Sequence, residues 1–316
     1  MDCVRVTTAS RLHLGFLDLN GELGRRFGSI GLAVDAFETM LELREETAFS
    51  AHGLERERGA ALARRVAERL GLNAHKRLDV LSVIPAHAGL GSGTQLALAI
   101  AAAFRRLGGL GPDPRSDARL LDRGARSGIG AALFELGGLV VDAGRGAGDG
   151  VPPVVARLRF PGDWRAILVL DRREKGVHGD AERRAFAELP MFPAAKAADI
   201  CRLTLMQILP GVAEADLAAF GDGISRVQEL VGDHFAPAQG GGRFTSGAVA
   251  RIAARLQGFG AHGIGQSSWG PTGFAFARDP DQAKFIARRA RENAEAGVEV
   301  IVCRALDHGA VVSDLR

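Results

Sequence analysis

The sequence predicts an α+β protein in two lobes. Its 316 residues exceed what one compact core usually holds, which favours two closely associated lobes or one large α/β domain. A strand, a glycine-rich loop and a helix follow one another in the first half, whereas the second half is more helical and ends in a strand–helix–strand arrangement. The segment 144–153 breaks this pattern, so we predict one domain at 1–155 and a second at 156–316.

Hydrophobic periodicity justifies the individual elements. In a helix predicted from 60 to 70, Leu62, Val66 and Leu70 repeat at a spacing of four, and Gly71 supplies the stop. The glycine loop leads into an alanine-rich helix at 95–107. Alternating or continuous apolar runs predict the strands. The remaining predictions are strands at 2–9, 38–49, 78–83, 137–142, 166–171, 272–277 and 298–304, and helices at 196–209, 217–230, 249–256 and 281–296.

Composition and charge exclude several classes of protein. With 47% hydrophobic and 24% charged residues, the chain can bury enough apolar surface to fold. The 40 basic and 37 acidic residues leave a net charge of only +3 and alternate through most helices, so they do not predict a nucleic-acid partner. No apolar run is long enough to span a membrane, and Asp2 and Arg5 argue against a signal peptide. We therefore expect a soluble, cytoplasmic protein in which Cys3, Cys201 and Cys303 are buried thiols without a metal or disulfide role.

The segment from Pro85 to Thr94 has the strongest chemical signal. Three of its glycines, at positions 89, 91 and 93, lack the Cβ atoms that would keep an anion away from successive backbone N–H groups. Ser92 and Thr94 add hydroxyl donors at the start of a helix, where the dipole favours negative charge. The spacing fits neither a Walker A loop nor a dinucleotide fingerprint. We interpret residues 89–94 as a cradle for phosphate or pyrophosphate, although such a loop can also be only a tight turn.

Three ordered motifs resemble those of the GHMP superfamily of small-molecule kinases. The cradle segment is similar to the second motif, residues 9–16 (ASRLHLGF) resemble the first, and residues 265–273 (GQSSWGPTG) resemble the third. This resemblance covers essentially the whole chain. It implies a GHMP-kinase-like fold, with an amino-terminal lobe like domain 2 of ribosomal protein S5 and a ferredoxin-like carboxy-terminal lobe.

The resemblance to kinases fails at one catalytic position. Mevalonate-type members carry a Ser-Gly-x-Asp segment whose Asp positions or deprotonates the substrate hydroxyl. The matching segment here is Arg126 to Gly130, which places glycine where that Asp would stand. A reaction at this site therefore does not begin by activating an alcohol, if the segments are matched correctly.

The segment 126–130 (RSGIG), with residues 137–142 (GGLVVD) and the third motif, resembles one branch in particular, the β-ribofuranosylaminobenzene 5′-phosphate synthases of methanopterin biosynthesis. That resemblance implies condensation of phosphoribosyl pyrophosphate with 4-aminobenzoate or 4-hydroxybenzoate, with release of carbon dioxide and pyrophosphate. A cradle for nucleotide phosphates could hold a sugar pyrophosphate instead. Departing pyrophosphate requires cations and N–H donors around it.

The same chemistry suggests a divalent ion, Mg²⁺, held by few carboxylates and by the substrate's own oxygens. Asp18 is the first candidate to contact the metal or the ribose hydroxyls, and an Asx turn before Asn20 and Gly21 is an equally good reading. Arg25 and Arg26, in a glycine-bounded loop, are candidates to anchor the acceptor's carboxylate, or they are ordinary surface arginines.

Other residues keep two interpretations each. His13 and His87 lie within motifs, yet a lone histidine is often structural. Ser127 could contact phosphate beside Arg126 or only cap a helix. The segment 175–182 suits a mobile loop over an anionic substrate, or a solvated turn. An acceptor ring could stack on Trp269 or Phe274, or both could be core residues.

The sequence therefore predicts a phosphoribosyl transferase that acts with decarboxylation, binds small molecules and no nucleic acid, and forms a homodimer. The alternatives are an ATP-dependent kinase and a non-catalytic ligand-binding protein on the same scaffold. The predicted catalytic residues are Asp18, Arg25, Arg26 and His13. The predicted phosphate-binding residues are Gly89, Leu90, Gly91, Ser92, Gly93, Thr94, Arg126, Ser127, Ser268, Gly270, Thr272 and Gly273.

Overall fold

Two β-sheets organise the protein. The structure, a computed structural model, describes residues 3–148, 150–177, 179–292 and 294–315. Its larger sheet has the strand order β11-β1-β2-β4-β3, and β5 pairs with β2 and β6 beside this row. All its pairings are antiparallel except β3 with β4. Its strands are β1 (Cys3–Asp18), β2 (Phe27–Glu45), β3 (Ser50–Gly53), β4 (Lys76–Ser82), β5 (Leu139–Asp142), β6 (Val154–Leu158) and β11 (Val311–Leu315).

Four helices accompany the larger sheet. Helix α1 buries Leu62 and Val66 and ends at Gly71, whose positive φ of 64° suits glycine, as the periodicity predicts. The alanine-rich α2 is buried along most of its length, which lets it pack closely against β1 and β2. The helices are α1 (Arg56–Leu70), α2 (Ser92–Leu107), α3 (Pro114–Leu120) and α4 (Ile129–Leu136).

The smaller sheet has the antiparallel order β10-β7-β9-β8. Numbered along the chain, this is 4-1-3-2, the arrangement of a ferredoxin-like βαββαβ unit. The fold is thus the two-lobed α+β architecture that the sequence predicts. The elements of this half are β7 (Arg165–Asp171), α5 (Gly179–Glu188), α6 (Ala194–Leu203), α7 (Leu209–Ala213), α8 (Leu217–Phe235), α9 (Gly247–Leu256), β8 (His262–Gln266), β9 (Thr272–Ala277), α10 (Pro280–Arg291) and β10 (Val298–Cys303).

Some expectations about this half are wrong in detail. The helix predicted to end before Pro210 instead passes through a π-helical turn at Thr204–Ile208 into α7, where Pro210 stands in the first turn and needs no N–H partner. Helix α10 ends at Arg291 rather than 296. Cys201 is exposed, because it lies beside the buried face of α6 formed by Ala197 and Ile200.

The two lobes share one apolar core and several hydrogen bonds. The backbone N–H of His13 donates to Ser267 Oγ (3.0 Å), and Gln228 Nε2 donates to the carbonyl of Leu14 (2.8 Å). Strand β6 straddles the boundary predicted at 155, and β11 returns the chain end to the larger sheet. The first and third motifs therefore meet at the junction of the lobes. No helix of the described residues has the length and apolarity that crossing a bilayer demands.

Candidate functional site

A cavity of about 360 Å³ opens where the cradle meets the other two motifs. We call it the cradle cavity. Its wall combines glycines of the cradle, the tip of the third motif, the start of the segment 175–182 and three arginines. The lining residues are Arg11, Arg58, His87, Gly89, Gly91, Ser92, Gly93, Thr94, Arg123, Gly176, Val177, Gly179, Glu182, Ser268, Trp269 and Gly270.

The cradle has the geometry expected of an anion site. Gly89 and Gly91 have φ values of 77° and 84°, which residues with a Cβ rarely adopt. Helix α2 begins at Ser92 without a side-chain cap, so its positive dipole end faces the cavity. Leu90 points the other way and is buried in the core. The glycines of the loop thus present backbone to a ligand, beside Ser92 and Thr94.

The third motif closes one side of the cradle at van der Waals distance. A methyl group on Gly270 would lie 2.3 Å from the carbonyl group of Ala88. Ser267 Oγ donates to the carbonyl of Gly89 (2.7 Å), and Thr272 Oγ1 donates to that of Ala88 (2.7 Å). The third motif therefore fixes the cradle by direct contacts. Thr272 holds the loop in place through its hydrogen bond and does not line the cavity.

The segment 175–182 closes another side. The N–H of Gly176 donates to the carbonyl of His87 (2.9 Å), and the N–H of Val177 donates to that of Trp269 (3.0 Å). His87 and Ser268 have positive φ values of 57° each, a strain that tends to persist at ligand sites. His178, which the sequence analysis included in this segment, lies outside the described residues. The described part holds the cradle and the third motif together.

Three guanidinium groups converge on the cradle cavity. Arg11 Nη1 donates to the carbonyl of Gly89 (3.1 Å), and burial lowers the pKa of this guanidinium to about 10 against the opposing effect of the Glu182 carboxylate. The side chains of Arg58 and Arg123 approach the open face of Gly93. The cavity wall therefore carries a concentration of positive charge beside backbone donors, which suits a ligand with several negative charges.

His13 lies beneath the cavity and not in its wall. Its ring is 3% exposed, packs edge-on against Phe16 (4.5 Å between centroids) and lines a small neighbouring void with Trp269. The buried Nε2 has no hydrogen-bond partner among the described residues. Burial, and then the charge of Arg11, lower the pKa of His13 to about 3, so the ring is neutral at physiological pH.

We expect His13 to make the protein sensitive to acid. Its pKa is about 3 in the fold and about 6.5 in the unfolded chain, so its stabilising effect is full above pH 6.5 and is lost as the pH falls towards 3. Replacing His13 by Gln removes this term. The change in unfolding free energy from pH 7 to pH 5 should then differ between wild type and H13Q by about 2 kcal/mol. Urea unfolding at both pH values measures it, and parallel pH dependences would contradict it.

Asp142, at the end of β5, organises the start of α4. One carboxylate oxygen accepts the N–H of Gly128 (2.9 Å) and contacts Ser127 Oγ at 3.5 Å, and the other accepts the N–H of Gly144 (2.8 Å). Burial raises the pKa of Asp142 to about 6 despite these donors. Ser127 thus takes part in the helix-capping arrangement and does not line the cradle cavity.

Gly130, which the sequence analysis matches with the catalytic Asp of mevalonate-type kinases, adjoins the cradle. A methyl group on Gly130 would lie 2.9 Å from Cγ2 of Thr94, and Gln95 Nε2 donates to the carbonyl of Gly130 (3.0 Å). An Asp side chain at this place would have to displace Thr94. Close packing between α2 and α4 therefore takes up the space that a carboxylate would need.

An aromatic stack stands beside the cavity. Arg126 pairs with Glu182 (2.9 Å) and lies over the ring of Phe186 (4.8 Å). Phe186 in turn stacks on Trp269, with centroids 5.2 Å apart and planes at 11°. Trp269 is thus both part of the cavity wall and an aromatic platform, whereas Phe274 is fully buried in β9. Arg126 faces a carboxylate and an aromatic ring and is not in the cavity wall.

The structure does not bring Asp18, Arg25 and Arg26 to the cradle cavity. Asp18 accepts the N–H groups of Asn20 (2.7 Å) and Gly21 (2.9 Å), which is the Asx turn considered above. Arg25 donates to the carbonyls of residues 143 and 144, and Arg26 donates to that of residue 19. All three side chains serve local backbone groups.

Among the residues that the structure describes, the donor set does not fit a divalent cation held by protein side chains alone. Within the described ranges, no group of three or more His, Cys, Asp or Glu residues is placed to hold a metal ion. The carboxylate in the cradle cavity, Glu182, is paired with Arg126, and Asp18 has backbone partners elsewhere. A hard cation such as Mg²⁺ prefers several oxygen ligands. The cavity instead offers guanidinium groups.

Sequence reasoning identified most of the cavity wall. Glycines 89, 91, 93 and 270, with Ser92, Thr94 and Ser268, line it, while Gly273 is buried in β9 against Val249. Arg11 belongs to the first motif, but the motif alone does not indicate that its side chain reaches the cavity. Arg58 and Arg123 were missed, because nothing in the local sequence separates them from the other basic residues. Their approach to the Cβ position of Gly93 is a signal that appears only in three dimensions.

Solved structures of similar fold include kinases and a decarboxylase. Homoserine kinase from Cytophaga hutchinsonii superimposes with a TM-score of 0.70 at 17% identity, covering 99% of this chain and 98% of that one. Mevalonate diphosphate decarboxylase from Staphylococcus aureus gives a TM-score of 0.68 at 15% identity, again covering 99% and 98%. At such identities the likeness shows the fold.

The sequence relatives are more specific. The family descriptions GHMP kinases N terminal domain and GHMP kinases C terminal match residues 58–138 and 208–296. A β-ribofuranosylphenol 5′-phosphate synthase from Archaeoglobus fulgidus is 38% identical over 97% of this chain and 98% of its own length. A namesake from Methanothermobacter thermautotrophicus is 33% identical over 84% and 86%. The chain therefore belongs to the β-ribofuranosylphenol 5′-phosphate synthase family, within the GHMP superfamily.

Proposed function

We propose that this protein condenses phosphoribosyl pyrophosphate with 4-hydroxybenzoate to form β-ribofuranosylphenol 5′-phosphate, carbon dioxide and pyrophosphate, in methanopterin biosynthesis. The names of its relatives favour the phenol over the aniline as product. The observation that carries the proposal is the cradle cavity itself. It joins a glycine loop, a helix N-terminus and three arginines, and position 130 beside it is glycine.

The reaction makes demands that this wall can meet. The bond from the anomeric carbon to the pyrophosphate oxygen breaks, and its electron pair leaves with pyrophosphate. Negative charge then grows on the leaving group, where preorganised N–H donors and guanidinium groups stabilise it most. Arg11 and the N–H groups of the cradle, which line the cavity, would supply these donors.

The acceptor needs no alcohol to be deprotonated. The ring carbon that bears the carboxylate forms the new bond to the anomeric carbon, and the bond to the carboxylate breaks, which returns an electron pair to the ring and releases carbon dioxide. A glycine at position 130 is compatible with this chemistry, whereas a kinase acting on a hydroxyl group would need a base. The nucleophile is supplied by the electron-rich ring.

We propose the Trp269 platform as the place of the acceptor ring, with Arg126 as the anchor of its carboxylate. Phe186 covers one face of Trp269, and Glu182 pairs with Arg126. A bound benzoate would displace both side chains, because its ring would stack on Trp269 in place of Phe186 and its carboxylate would pair with Arg126 in place of Glu182. Arg25 and Arg26, predicted for this role, lie elsewhere. We propose that Mg²⁺ enters the site bound to the phosphate oxygens of the donor and is therefore part of the substrate.

Incubation with phosphoribosyl pyrophosphate and carboxyl-labelled 4-hydroxybenzoate or 4-aminobenzoate tests the proposal. We expect labelled carbon dioxide and pyrophosphate in equal amounts and a carbon-linked riboside by mass spectrometry, with the hydroxy acid as the better acceptor. Phosphate transfer from ATP to an alcohol, or binding of the donor with no turnover, would overturn it in favour of a kinase or a sensor. The predicted homodimer and cytoplasmic location stay proposals, and light scattering tests the first.

A further inference from the structure

We propose that Arg58 and Arg123 form a clamp for the distal phosphoryl group of the donor's pyrophosphate, so that the cradle cavity selects a diphosphate over a monophosphate. The inference deepens the proposed function and rests on it for the identity of the donor. The preference for two linked phosphoryl groups can be tested without any reaction.

The geometry places both side chains over one glycine. Arg58 stands in the first turn of α1, and Arg123 follows α3. Their Nη2 and Nη1 atoms lie 2.7 Å and 3.5 Å from the point where a Cβ of Gly93 would stand. Because Gly93 has no side chain, two guanidinium groups reach the first turn of α2, where the dipole and the N–H groups already favour an anion.

Arg123 is incompletely hydrogen-bonded by the described residues. Arg123 Nε is buried without a hydrogen-bond partner among the described residues. Burial lowers the pKa of Arg123, and the nearby charges of Arg58 and Arg65 lower it further. The carboxylate that pairs with Arg58 is Glu55, at 3.6 Å. An anion bound between them would give Arg123 Nε a hydrogen-bond partner and would add negative charge beside both guanidinium groups.

Arg11 and the pair occupy different parts of the cradle. The Cγ of Arg11 lies 2.8 Å from the Cβ position of Gly91, two residues before Gly93. Arg11 thus covers the first part of the loop, and Arg58 with Arg123 covers the second. A pyrophosphate has two phosphoryl groups and can contact both parts at once, whereas orthophosphate has one. We therefore expect Arg58 and Arg123 to make the cavity bind pyrophosphate more tightly than orthophosphate.

Calorimetric titration of the full chain with pyrophosphate and with orthophosphate, in the presence of EDTA, tests the clamp. We expect Arg58→Gln and Arg123→Gln each to weaken pyrophosphate binding by about 10- to 100-fold, the effect of losing one charge-assisted contact. Orthophosphate affinity should change far less. Arg64→Gln is the matched control, because Arg64 lies on the same helix but over Phe49 and outside the cavity, and it should bind both ions as wild type does.

Two outcomes overturn the clamp: wild-type affinity for pyrophosphate in both variants, or equal weakening of both ions. Thermal unfolding without anion controls for folding, and we expect R123Q to be no less stable than wild type because a buried like charge is removed. If R123Q is less stable, Arg58→Gln decides, since the Arg58 side chain is 34% exposed. If the protein binds pyrophosphate through Arg58 and Arg123 but forms no riboside, the clamp is confirmed and the proposed function is wrong.

Discussion

Replacing Gly270 by Ala should reduce turnover by at least about 100-fold, the cost of displacing reacting groups by about 1 Å. The added methyl would lie 2.3 Å from the carbonyl group of Ala88 and from the N–H of Gly89. Both neighbours are backbone, so no side chain can swing away to make room. The cradle itself must move, and we expect a loss of about 1–3 kcal/mol of stability as well.

Gly162→Ala is the matched control for this change. Gly162 has no atom within 4 Å of its Cβ position and no positive φ, so the same added methyl should alter neither activity nor stability. Carbon dioxide release and pyrophosphate titration would be measured on both variants. Retention of wild-type turnover by G270A would show that the contact between the third motif and the cradle does not set the position of the donor.

Replacing Arg11 by Ala should lower kcat/KM for the donor by about 100- to 1000-fold, the usual effect of removing one preorganised donor to developing charge. The Arg11 side chain donates a hydrogen bond to the carbonyl of Gly89, which stabilises the loop, but its buried charge destabilises the protein when no anion is bound. The free variant should therefore remain folded. Arg11→Lys keeps a charge but not the planar group, so we expect an intermediate loss.

Arg5→Gln provides the comparison on the same strand. Arg5 pairs with Glu42 on the neighbouring strand, and its side chain is 41% exposed, so its removal should leave the donor kinetics unchanged. Steady-state rates over a range of donor concentrations separate kcat from KM. Equal kinetics for R11A and R5Q would rule out a role of Arg11 in holding the donor.

The sequence allowed most of the fold to be predicted where local pattern and tertiary packing agree. The strand predicted at 272–277 matches β9, and the helix at 60–70 lies within α1. The strands β3, β6, β8 and β11 were missed, since each has only four or five residues in which a pattern could show. The strand predicted at 2–9 continues to Asp18 because its second half crosses the lobe junction and is buried on both faces.

The candidate site also has one part that the sequence predicts and one part that it does not. Backbone features such as the cradle follow from glycine spacing and could be predicted. The placement of long side chains could not, because Arg25, Arg58 and Arg126 are chemically alike and only tertiary contacts decide which of them faces a cavity. Asp18 illustrates the converse, since its Asx turn was one of the two interpretations that the sequence left open.

The pairing of β1 with β11 has a consequence for biosynthesis on the ribosome. Residues 3–7 of β1 pair with β11, so this edge of the strand is covered only after residues 311–315 have been synthesised. Synthesis is slow relative to the formation of local structure. Until then the polypeptide exposes an unpaired strand edge, and chaperones that shield such edges should associate with it.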